Sequence, residues 1–182
     1  MVIETVVTTL NPDGSVNCGA MGVEWSAERI VIKPFRGTRT LRNLRATSAA
    51  VVNLTDDILL FSQAALGDPQ PPTRPAVSVE GAVLDDACSW REVRVEAIDD
   101  SAQRARVDTV VVGQGSGREF LGFNRARHAV LEASILASRV RLLDAGEIRA
   151  ALEPLQVLVD KTGGPREREA MAYVRTVIDG SR

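Results

Sequence analysis

The chain has 182 residues, of which 45% are hydrophobic and 25% charged, so we expect one domain with a packed core, or such a domain with an appendage. The formal net charge of −2 argues against a dedicated nucleic-acid-binding protein, which usually carries a basic excess. Cys18 and Cys88 form no CxxC pair, and His128 is the only histidine. A disulfide framework, a metal site rich in histidine or cysteine, and a conventional catalytic triad are therefore not expected.

The amino-terminal stretch shows no targeting or membrane-spanning pattern. Its sequence, MVIETVVTTL, lacks the basic and apolar regions of a secretory signal. No apolar run in the chain approaches the roughly 20 residues needed to cross a bilayer. We therefore expect a cytoplasmic protein with no membrane partner.

The first two thirds of the chain have the pattern of β-strands, with many β-branched residues and alternating polarity. The segment NPDG at residues 11–14 is a typical turn, and it predicts a hairpin between strands at residues 3–10 and 15–25. Further strands are predicted at residues 29–33, 48–54, 76–84, 90–98 and 104–112. A short helix at residues 56–66 and a proline-rich surface loop at residues 67–75 interrupt them.

The last third of the chain has the period of helices, about 3.6 residues. Helices are predicted at residues 124–143, 147–159 and 166–178. The first helix carries an apolar face formed by Ala126, Val130, Ala133, Ala137 and Val140. His128 is predicted on the surface of this helix or at an interface. The segment KTGGP separates the second helix from the third, and the order of strands before helices excludes the alternating Rossmann arrangement.

Two further motifs have both a chemical and a structural explanation. The segment GQGSG at residues 113–117 lacks the GxGxxG spacing and the Walker lysine, which favours a flexible joint between strands and helices over a phosphate loop. Asp56 and Asp57 could act as an acid–base pair, but adjacent helical residues point about 100° apart. That angle slightly favours a helix cap with first-turn charge.

The segment FRGTRTLRNL at residues 35–44 has three interpretations: nucleic-acid binding, phosphate binding, or the start of a helix. Arginines recur at every third position, but each such step along a helix is displaced by about 60°, so they do not form a stripe. Aromatic residues, which would stack on bases, make up only 4% of the chain. Nucleic-acid binding is therefore disfavoured, and no nucleic-acid partner is predicted.

Local chemistry supports the two remaining interpretations of this segment equally. Gly37 lets a ligand approach the backbone, and a phosphate would find hydroxyl, guanidinium and free helix N–H donors just beyond it. The side chains concerned are those of Thr38, Arg39 and Thr40. Alternatively, Thr40 is the N-cap of a short helix that buries Leu41 and Leu44.

The run TRTLRNLRATSAAVVN at residues 38–53 resembles the flavin reductase-like FMN-binding split-barrel superfamily. The hairpin VTTLNPDGSVNCGAMGV and the motifs NLTDD, GFNRAR and KTGG resemble more specifically one uncharacterised branch. That branch occurs in archaea and in bacteria with tetrahydromethanopterin-linked one-carbon metabolism. The resemblance extends from Ile3 to Ile178.

The resemblance implies a β-rich α+β fold, in which an antiparallel Greek-key FMN-binding split barrel is followed by a C-terminal helical extension. The barrel would occupy residues 1–120 and the extension residues 121–182. The extension would pack on the barrel and on the partner of a homodimer, with FMN near the subunit interface.

The resemblance also assigns residues to the cofactor. Thr38, Thr40 and Asn43 would hold the FMN phosphate, and the local chemistry described above adds Arg39 as a further donor. The isoalloxazine edge would be lined, largely by backbone groups, by Asn17, Ala20 and Met21. Asn53 would face the ribityl chain or the ring.

Three residues further along the chain are additional site candidates: Asp56, Asn124 and Arg125. Asn124 and Arg125 could reach the cofactor or the partner subunit, and the alternative for both is a purely structural helix start.

These features predict an FMN-binding flavoprotein, and more specifically a flavin reductase-like oxidoreductase that uses NAD(P)H as donor. The alternative is a non-catalytic FMN-binding protein or an accessory protein of one-carbon metabolism. A flavin carries its own redox chemistry, so no catalytic side chain is predicted.

Overall fold

The structure is a computed structural model that describes residues 1–140 and 142–180. Its strands are β1 (Val2–Leu10), β2 (Val16–Trp25), β3 (Arg29–Ile32), β4 (Ala49–Leu54), β5 (Thr73–Pro75), β6 (Ala82–Leu84), β7 (Ser89–Asp99) and β8 (Arg106–Ser116). Its helices are α1 (Arg39–Thr47), α2 (Ile58–Leu66), α3 (Arg125–Ala137), α4 (Ala145–Thr162) and α5 (Pro165–Gly180).

Six of the strands form a closed barrel in the order β1-β2-β3-β8-β7-β4, and each pairing is antiparallel. The predicted NPDG turn joins β1 to β2, and Gly14 supplies the positive φ of 83° that the turn requires. The barrel closes where β1 pairs with β4. The predicted fold class, an antiparallel barrel followed by helices, is confirmed.

The barrel core consists of side chains that alternate along the strands with outward-facing ones. Val7, Val23, Ile30 and Val93 are fully buried in it. The predicted pair Leu41 and Leu44 belongs to the same cluster, so α1 packs its apolar face into the barrel core. Burial of each such side chain contributes roughly 1.5–3 kcal/mol.

The predicted flexible joint at residues 113–117 is wrong, because strand β8 continues through Ser116 and pairs with β7. The glycines make room for the neighbouring strand and loop. A Cβ at Gly115 would lie 2.2 Å from the Trp90 ring, and one at Gly113 would lie 2.5 Å from the Ser78 hydroxyl. The motif is therefore a packing feature of the sheet.

The predicted strand at residues 76–84 is also wrong over most of its length, since only Ala82–Leu84 is strand and pairs with β5. In place of a neighbouring strand, the Glu92 carboxylate accepts the backbone hydrogen bonds of this segment. It accepts the backbone N–H of Val77 at 3.0 Å, the N–H of Ser78, and the Trp90 indole N–H at 3.3 Å. Glu92 is 2% exposed.

Glu92 gives the barrel an acid-sensitive contact. Burial raises the pKa of the Glu92 carboxyl, but the backbone N–H groups of Ser78 and Val77 and the Trp90 indole outweigh burial, so the pKa lies below its ordinary value. The stabilisation is therefore fully present above the unfolded-state pKa of about 4.3, and it is lost as the pH falls through the lower folded-state pKa.

Replacing Glu92 with glutamine should lower the free energy of unfolding by about 1–3 kcal/mol at neutral pH, because charge-assisted bonds to buried N–H groups are lost. Amide hydrogen exchange at Val77 and Ser78 should accelerate in the same variant. The control is Glu96→Gln on the same strand, which removes an exposed ion pair with Arg29 and should cost less than about 1 kcal/mol. Equal effects of the two variants, with unchanged exchange at residues 77 and 78, would contradict the role of Glu92.

The chain divides into two compact units. The first contains Met1–Thr55 and Pro69–Phe120, and the second contains Asp56–Asp68 and Leu121–Arg182. The helix α2 therefore belongs with the C-terminal helices, and the predicted domains at residues 1–120 and 121–182 stay a prediction. No helix among the described residues is long and apolar enough to span a membrane.

Helix α3 is shorter than predicted, because it ends at Ala137 rather than at residue 143. Two hydrogen bonds of the 3₁₀ type follow the helix. The N–H of Arg139 donates to the Leu136 carbonyl, and the N–H of Val140 donates to the Ala137 carbonyl. Residue 141, inside the predicted helix, lies outside the described residues. The predicted apolar face is buried inside this unit at Ala126, Val130, Ala133 and Ala137.

The other two predicted C-terminal helices are confirmed, each with somewhat wider bounds. Asp144 caps α4 by accepting the N–H of Gly146 at 2.8 Å and that of Glu147 at 3.1 Å. Gly163 ends α4, and α5 begins at Pro165, as the KTGGP segment predicted.

Candidate functional site

The start of α1 is capped by Thr38. Its hydroxyl accepts the backbone N–H of Leu41 at 3.4 Å and donates to the Phe35 carbonyl at 2.8 Å. The prediction that Thr40 caps this helix is therefore wrong. Gly37 precedes the cap with a φ of +81°, the left-handed conformation that favours glycine.

Thr40 instead takes part in a buried polar network between α1 and the β1–β2 hairpin. Its hydroxyl accepts the Asn17 side-chain amide at 3.1 Å. The amides of Asn17 and Asn43 both donate to the Thr9 hydroxyl, each at 3.1 Å. Asn43 also donates to the side-chain oxygen of Asn11 at 2.9 Å. We call Thr9, Asn17, Thr40 and Asn43 the hairpin network; each of the four is 5% exposed or less.

The hairpin network fixes the start of α1 against β1 and β2. Each bond contributes about 0.5–1.5 kcal/mol net, and a buried amide left without a partner costs about 1–3 kcal/mol, so the arrangement is strongly specified. Gly19 makes the close approach of α1 possible, because a Cβ there would lie 2.9 Å from the Thr40 hydroxyl and 3.0 Å from the Met21 methyl group.

Ala20 and Met21 lie on β2, a few residues beyond Asn17, and both are half-buried. The Met21 side chain packs against the barrel core, and its carbonyl accepts the Thr5 hydroxyl at 3.0 Å. Ala20 pairs with Val6 on β1. Both residues follow Asn17 on β2, and their predicted position along the isoalloxazine edge stays a prediction.

Asn53 lies apart from the hairpin network, on the opposite face of the sheet from the core residue Val52. Its amide donates to the Val6 carbonyl and to the Thr8 hydroxyl, each at 3.1 Å, and its oxygen accepts the N–H of Leu84 at 3.0 Å. The residue is fully buried. Asn53 thus joins β1, β4 and β6, and its predicted contact with a cofactor stays a prediction.

The additional candidates lie in the helical unit. The Asn124 side chain caps α3 by accepting the N–H groups of Ala126 at 2.8 Å and of Arg127 at 3.1 Å. Arg125, the first residue of α3, is exposed. Asp56 forms an ion pair with Arg127 at 2.6 Å. Asp57 caps α2, so the cap interpretation of this carboxylate pair is confirmed for Asp57.

The segment around α1 is strongly basic. Residues 29–55 contain six basic residues and no acidic residue. Three of the six form ion pairs with acidic residues elsewhere: Arg29 with Glu96, Lys33 with Glu24, and Arg45 with Asp100. The start of α1 thus brings helix N–H groups and guanidinium side chains together, a combination that suits an anionic group and a phosphate in particular.

The barrel is similar in fold to those of several solved structures. The crystal structure of the FMN-bound protein MM1853 from Methanosarcina mazei matches 97% of this chain and 94% of its own, with a TM-score of 0.84 and 23% identity. The Pseudomonas fluorescens 2-nitrobenzoate 2-nitroreductase NbaA matches 63% of this chain and 64% of its own (TM-score 0.56, 21% identity). The styrene monooxygenase flavin reductase from Pseudomonas putida S12 matches 62% of this chain and 79% of its own (TM-score 0.53, 16% identity).

The chain belongs to the DUF447 family, a family of proteins of unknown function. The model of the family's N-terminal domain matches residues 3–118, and a second DUF447 model matches residues 124–176. MM1853 is described as a member of the same family. The predicted resemblance to flavin reductase-like split barrels is confirmed for the fold.

Proposed function

We propose that this protein binds FMN at the start of α1 and acts as a flavin reductase-like oxidoreductase with a nicotinamide donor. The observation that carries the proposal is the acid-free, donor-rich start of α1, held in place by the hairpin network. The fold shared with FMN-bound MM1853 over nearly the whole chain supports it. A cytoplasmic location is part of the proposal.

Within this proposal, the guanidinium of Arg39 and the first N–H groups of α1 would bind the phosphate, and the Thr38 hydroxyl would join them by turning away from the Phe35 carbonyl. Thr40 and Asn43 would hold these donors in position from the buried side of the helix. Backbone groups of β2 at Asn17, Ala20 and Met21 would lie along the ring, and Asn53 would act indirectly by fixing β1 against β4. When bound, FMN supplies the capacity to accept and pass on a hydride.

The test is the visible spectrum of the purified protein before and after reconstitution with FMN, followed by anaerobic addition of NADH or NADPH. Binding of FMN and bleaching of the flavin absorption are expected. Failure to bind FMN would overturn the proposal. Binding without reduction by either nucleotide would instead support a non-catalytic FMN-binding protein, or an accessory protein such as one serving one-carbon metabolism.

Replacing His128 with alanine should lower the rate of flavin reduction by less than about tenfold, well short of the 10²–10⁴-fold typical of a lost general acid or base. His128 is exposed on α3, with its ring 5.9 Å from that of Phe123. Anaerobic stopped-flow kinetics of the FMN-loaded variant would measure this. Abolished reduction with FMN still bound would show that His128 takes part in the chemistry.

We further propose a homodimer with FMN near the subunit interface. The apolar face of α3, which first suggested a dimer, is buried within the chain, whereas Leu121 and Phe123 are 73% and 91% exposed. Light scattering should therefore report a dimer, and Leu121→Ser with Phe123→Ser should shift it towards monomer. The matched control is Leu142→Ser at another exposed leucine. A wild-type monomer at micromolar concentration with FMN present would refute the dimer.

A further inference from the structure

Three arginines converge on the loop that precedes α1. The Arg104 guanidinium lies 4.3 Å from the centroid of the Phe35 ring, and residues 35 and 104 form a backbone bridge. The backbone N–H of Arg36 donates to the Gln103 carbonyl at 3.0 Å. The Arg42 guanidinium donates to the Gly37 carbonyl at 2.8 Å. We call Arg36, Arg42 and Arg104 the arginine cluster, since Arg36 lies in the loop at residues 35–37 and the guanidinium groups of Arg42 and Arg104 contact that loop.

The cluster differs from the other cations of this region in its lack of acidic partners. Arg29, Lys33 and Arg45 each contact a carboxylate. Within residues 1–140 and 142–180, no carboxylate lies within ion-pair distance of Arg36, Arg42 or Arg104. All three are exposed. Three exposed positive charges at one loop create a positive potential that attracts an anion.

The cluster faces away from the hairpin network. Arg42 follows Thr40 by two residues, which corresponds to about 200° around the helix. Thr40 is buried against β1 and β2, whereas Arg42 is exposed. An anion held by the arginine cluster would therefore lie on the exposed side of α1, near Thr38 and Arg39, and the binding test has to distinguish it from the FMN phosphate.

We propose that the arginine cluster binds the 2′-phosphate of NADPH and makes this protein selective for NADPH over NADH. The inference rests on the proposed function, because it names the donor of that reaction. Guanidinium groups bind phosphate oxygens through paired, charge-assisted bonds. The Phe35 ring, 47% exposed, offers an aromatic surface on which the adenine can stack beside the phosphate.

The charge of the segment at residues 29–55 favours binding of NADPH over NADH. In the Rossmann fold, which this chain does not have, a carboxylate holds the ribose 2′-hydroxyl of NADH and an arginine accommodates the 2′-phosphate of NADPH, and the same pairing of chemical groups applies to the arginine cluster. Residues 29–55 carry no aspartate or glutamate, and the carboxylates that precede Arg104 are engaged elsewhere, Asp100 by Arg45 and Asp99 by the Ser101 N–H.

The test uses calorimetric titration of the full-length protein with 2′,5′-ADP, and with 5′-ADP as the matched probe that lacks the 2′-phosphate. We expect 2′,5′-ADP to bind at least about tenfold more tightly, because paired bonds to a charged phosphate are added. Arg36→Ala combined with Arg104→Ala should remove that preference, with FMN affinity changed less than about twofold. Arg45→Ala is the control, since it removes the same charge from α1 outside the cluster.

Equal affinity for the two probes, or an Arg45→Ala effect as large as that of the cluster variant, would overturn the inference. Loss of FMN binding in a folded cluster variant would also overturn it, since the arginines would then hold the FMN phosphate. The probe titrations do not require FMN. If the wild-type protein binds no FMN but prefers 2′,5′-ADP, the flavin proposal fails and the phosphate site stands.

Discussion

Replacing Arg127 with methionine should lower the free energy of unfolding by about 3–5 kcal/mol, because it would remove the positive charge that both buried carboxylates, Asp56 and Glu167, contact. Arg127 contacts Asp56 at 2.6 Å and Glu167 at 3.0 Å. The Asp56 and Glu167 side chains are 3% and 9% exposed, and that of Arg127 is 23% exposed. The triad joins the segment before α2 to α3 and α5 within the helical unit.

Urea denaturation followed by circular dichroism would measure this effect. The matched control is Arg149→Met, which removes an exposed ion pair with Asp179 in the same unit and should cost less than about 1 kcal/mol. Adding Asp56→Asn and Glu167→Gln to the Arg127→Met variant should restore part of the loss, since no buried charge then remains unpaired. Equal stability of the Arg127 and Arg149 variants would show that the triad is solvated and contributes little.

The triad also makes the helical unit sensitive to acid. Burial raises the pKa of the Glu167 carboxyl, but the Arg127 side chain and the Gly164 N–H outweigh burial and place the pKa below its ordinary value. The contribution of Glu167 is therefore complete above the unfolded-state pKa of about 4.3, and it fades as the pH falls through the folded-state pKa. The Arg127→Met variant should show a weaker loss of stability over that acid range.

The parts of the fold that follow from local chemistry could be predicted from the sequence. The NPDG turn requires only residues that suit its dihedral angles, and it defined the β1–β2 hairpin correctly. The KTGGP segment ended α4 and began α5, because glycine and proline act through their own backbone preferences. Alternating polarity predicted the long strands of the barrel correctly, except that the last predicted strand ended before β8 does.

The errors arose where a residue distant in sequence decides the structure. Thr38 and Thr40 are both plausible caps, and only the Asn17 amide, 23 residues away, shows that Thr40 faces inward. The glycines of residues 113–117 suggest a joint until Trp90 on the neighbouring strand is seen to need their space. The backbone at residues 77–78 is held by the distant Glu92 carboxylate rather than by a strand.

The candidate site shows the same limit. The motif resemblance selected Asn17, Thr40 and Asn43, which the structure brings together, but it did not select Thr9, which connects them. The sequence could have indicated Thr9, because a tight turn at residues 11–14 places Thr9 opposite Asn17 in the hairpin register. The Asp56–Arg127 contact spans 71 residues, and no local pattern indicated it.

Replacing Thr38 and Thr40 together with alanine should weaken FMN binding by about 10²-fold or more, if the start of α1 holds the phosphate as we propose. The Thr38 hydroxyl would contribute one hydrogen bond to a charged group, about 1.5–3 kcal/mol, and the loss of Thr40 would break its bond with Asn17 and displace the remaining donors, so the two changes together correspond to about this factor. Fluorescence quenching of FMN on titration with protein would measure the affinity. Thr47→Val is the control, because it removes a hydroxyl from the opposite end of the same helix.

Single variants would distinguish residues that bind the FMN phosphate from residues that only support the fold of α1. Thr38→Asn keeps a residue type that caps helices well but changes the group offered to a phosphate, so it should weaken FMN binding with little loss of stability. Thr40→Val removes the acceptor of the buried Asn17 amide, so it should lower stability as well as affinity, whereas Thr40→Ser should preserve both. If the double variant folds and keeps wild-type affinity for FMN, the phosphate is bound elsewhere. If only Thr40→Val weakens binding, and only in proportion to its loss of stability, the hairpin network supports the fold without presenting donors to the cofactor.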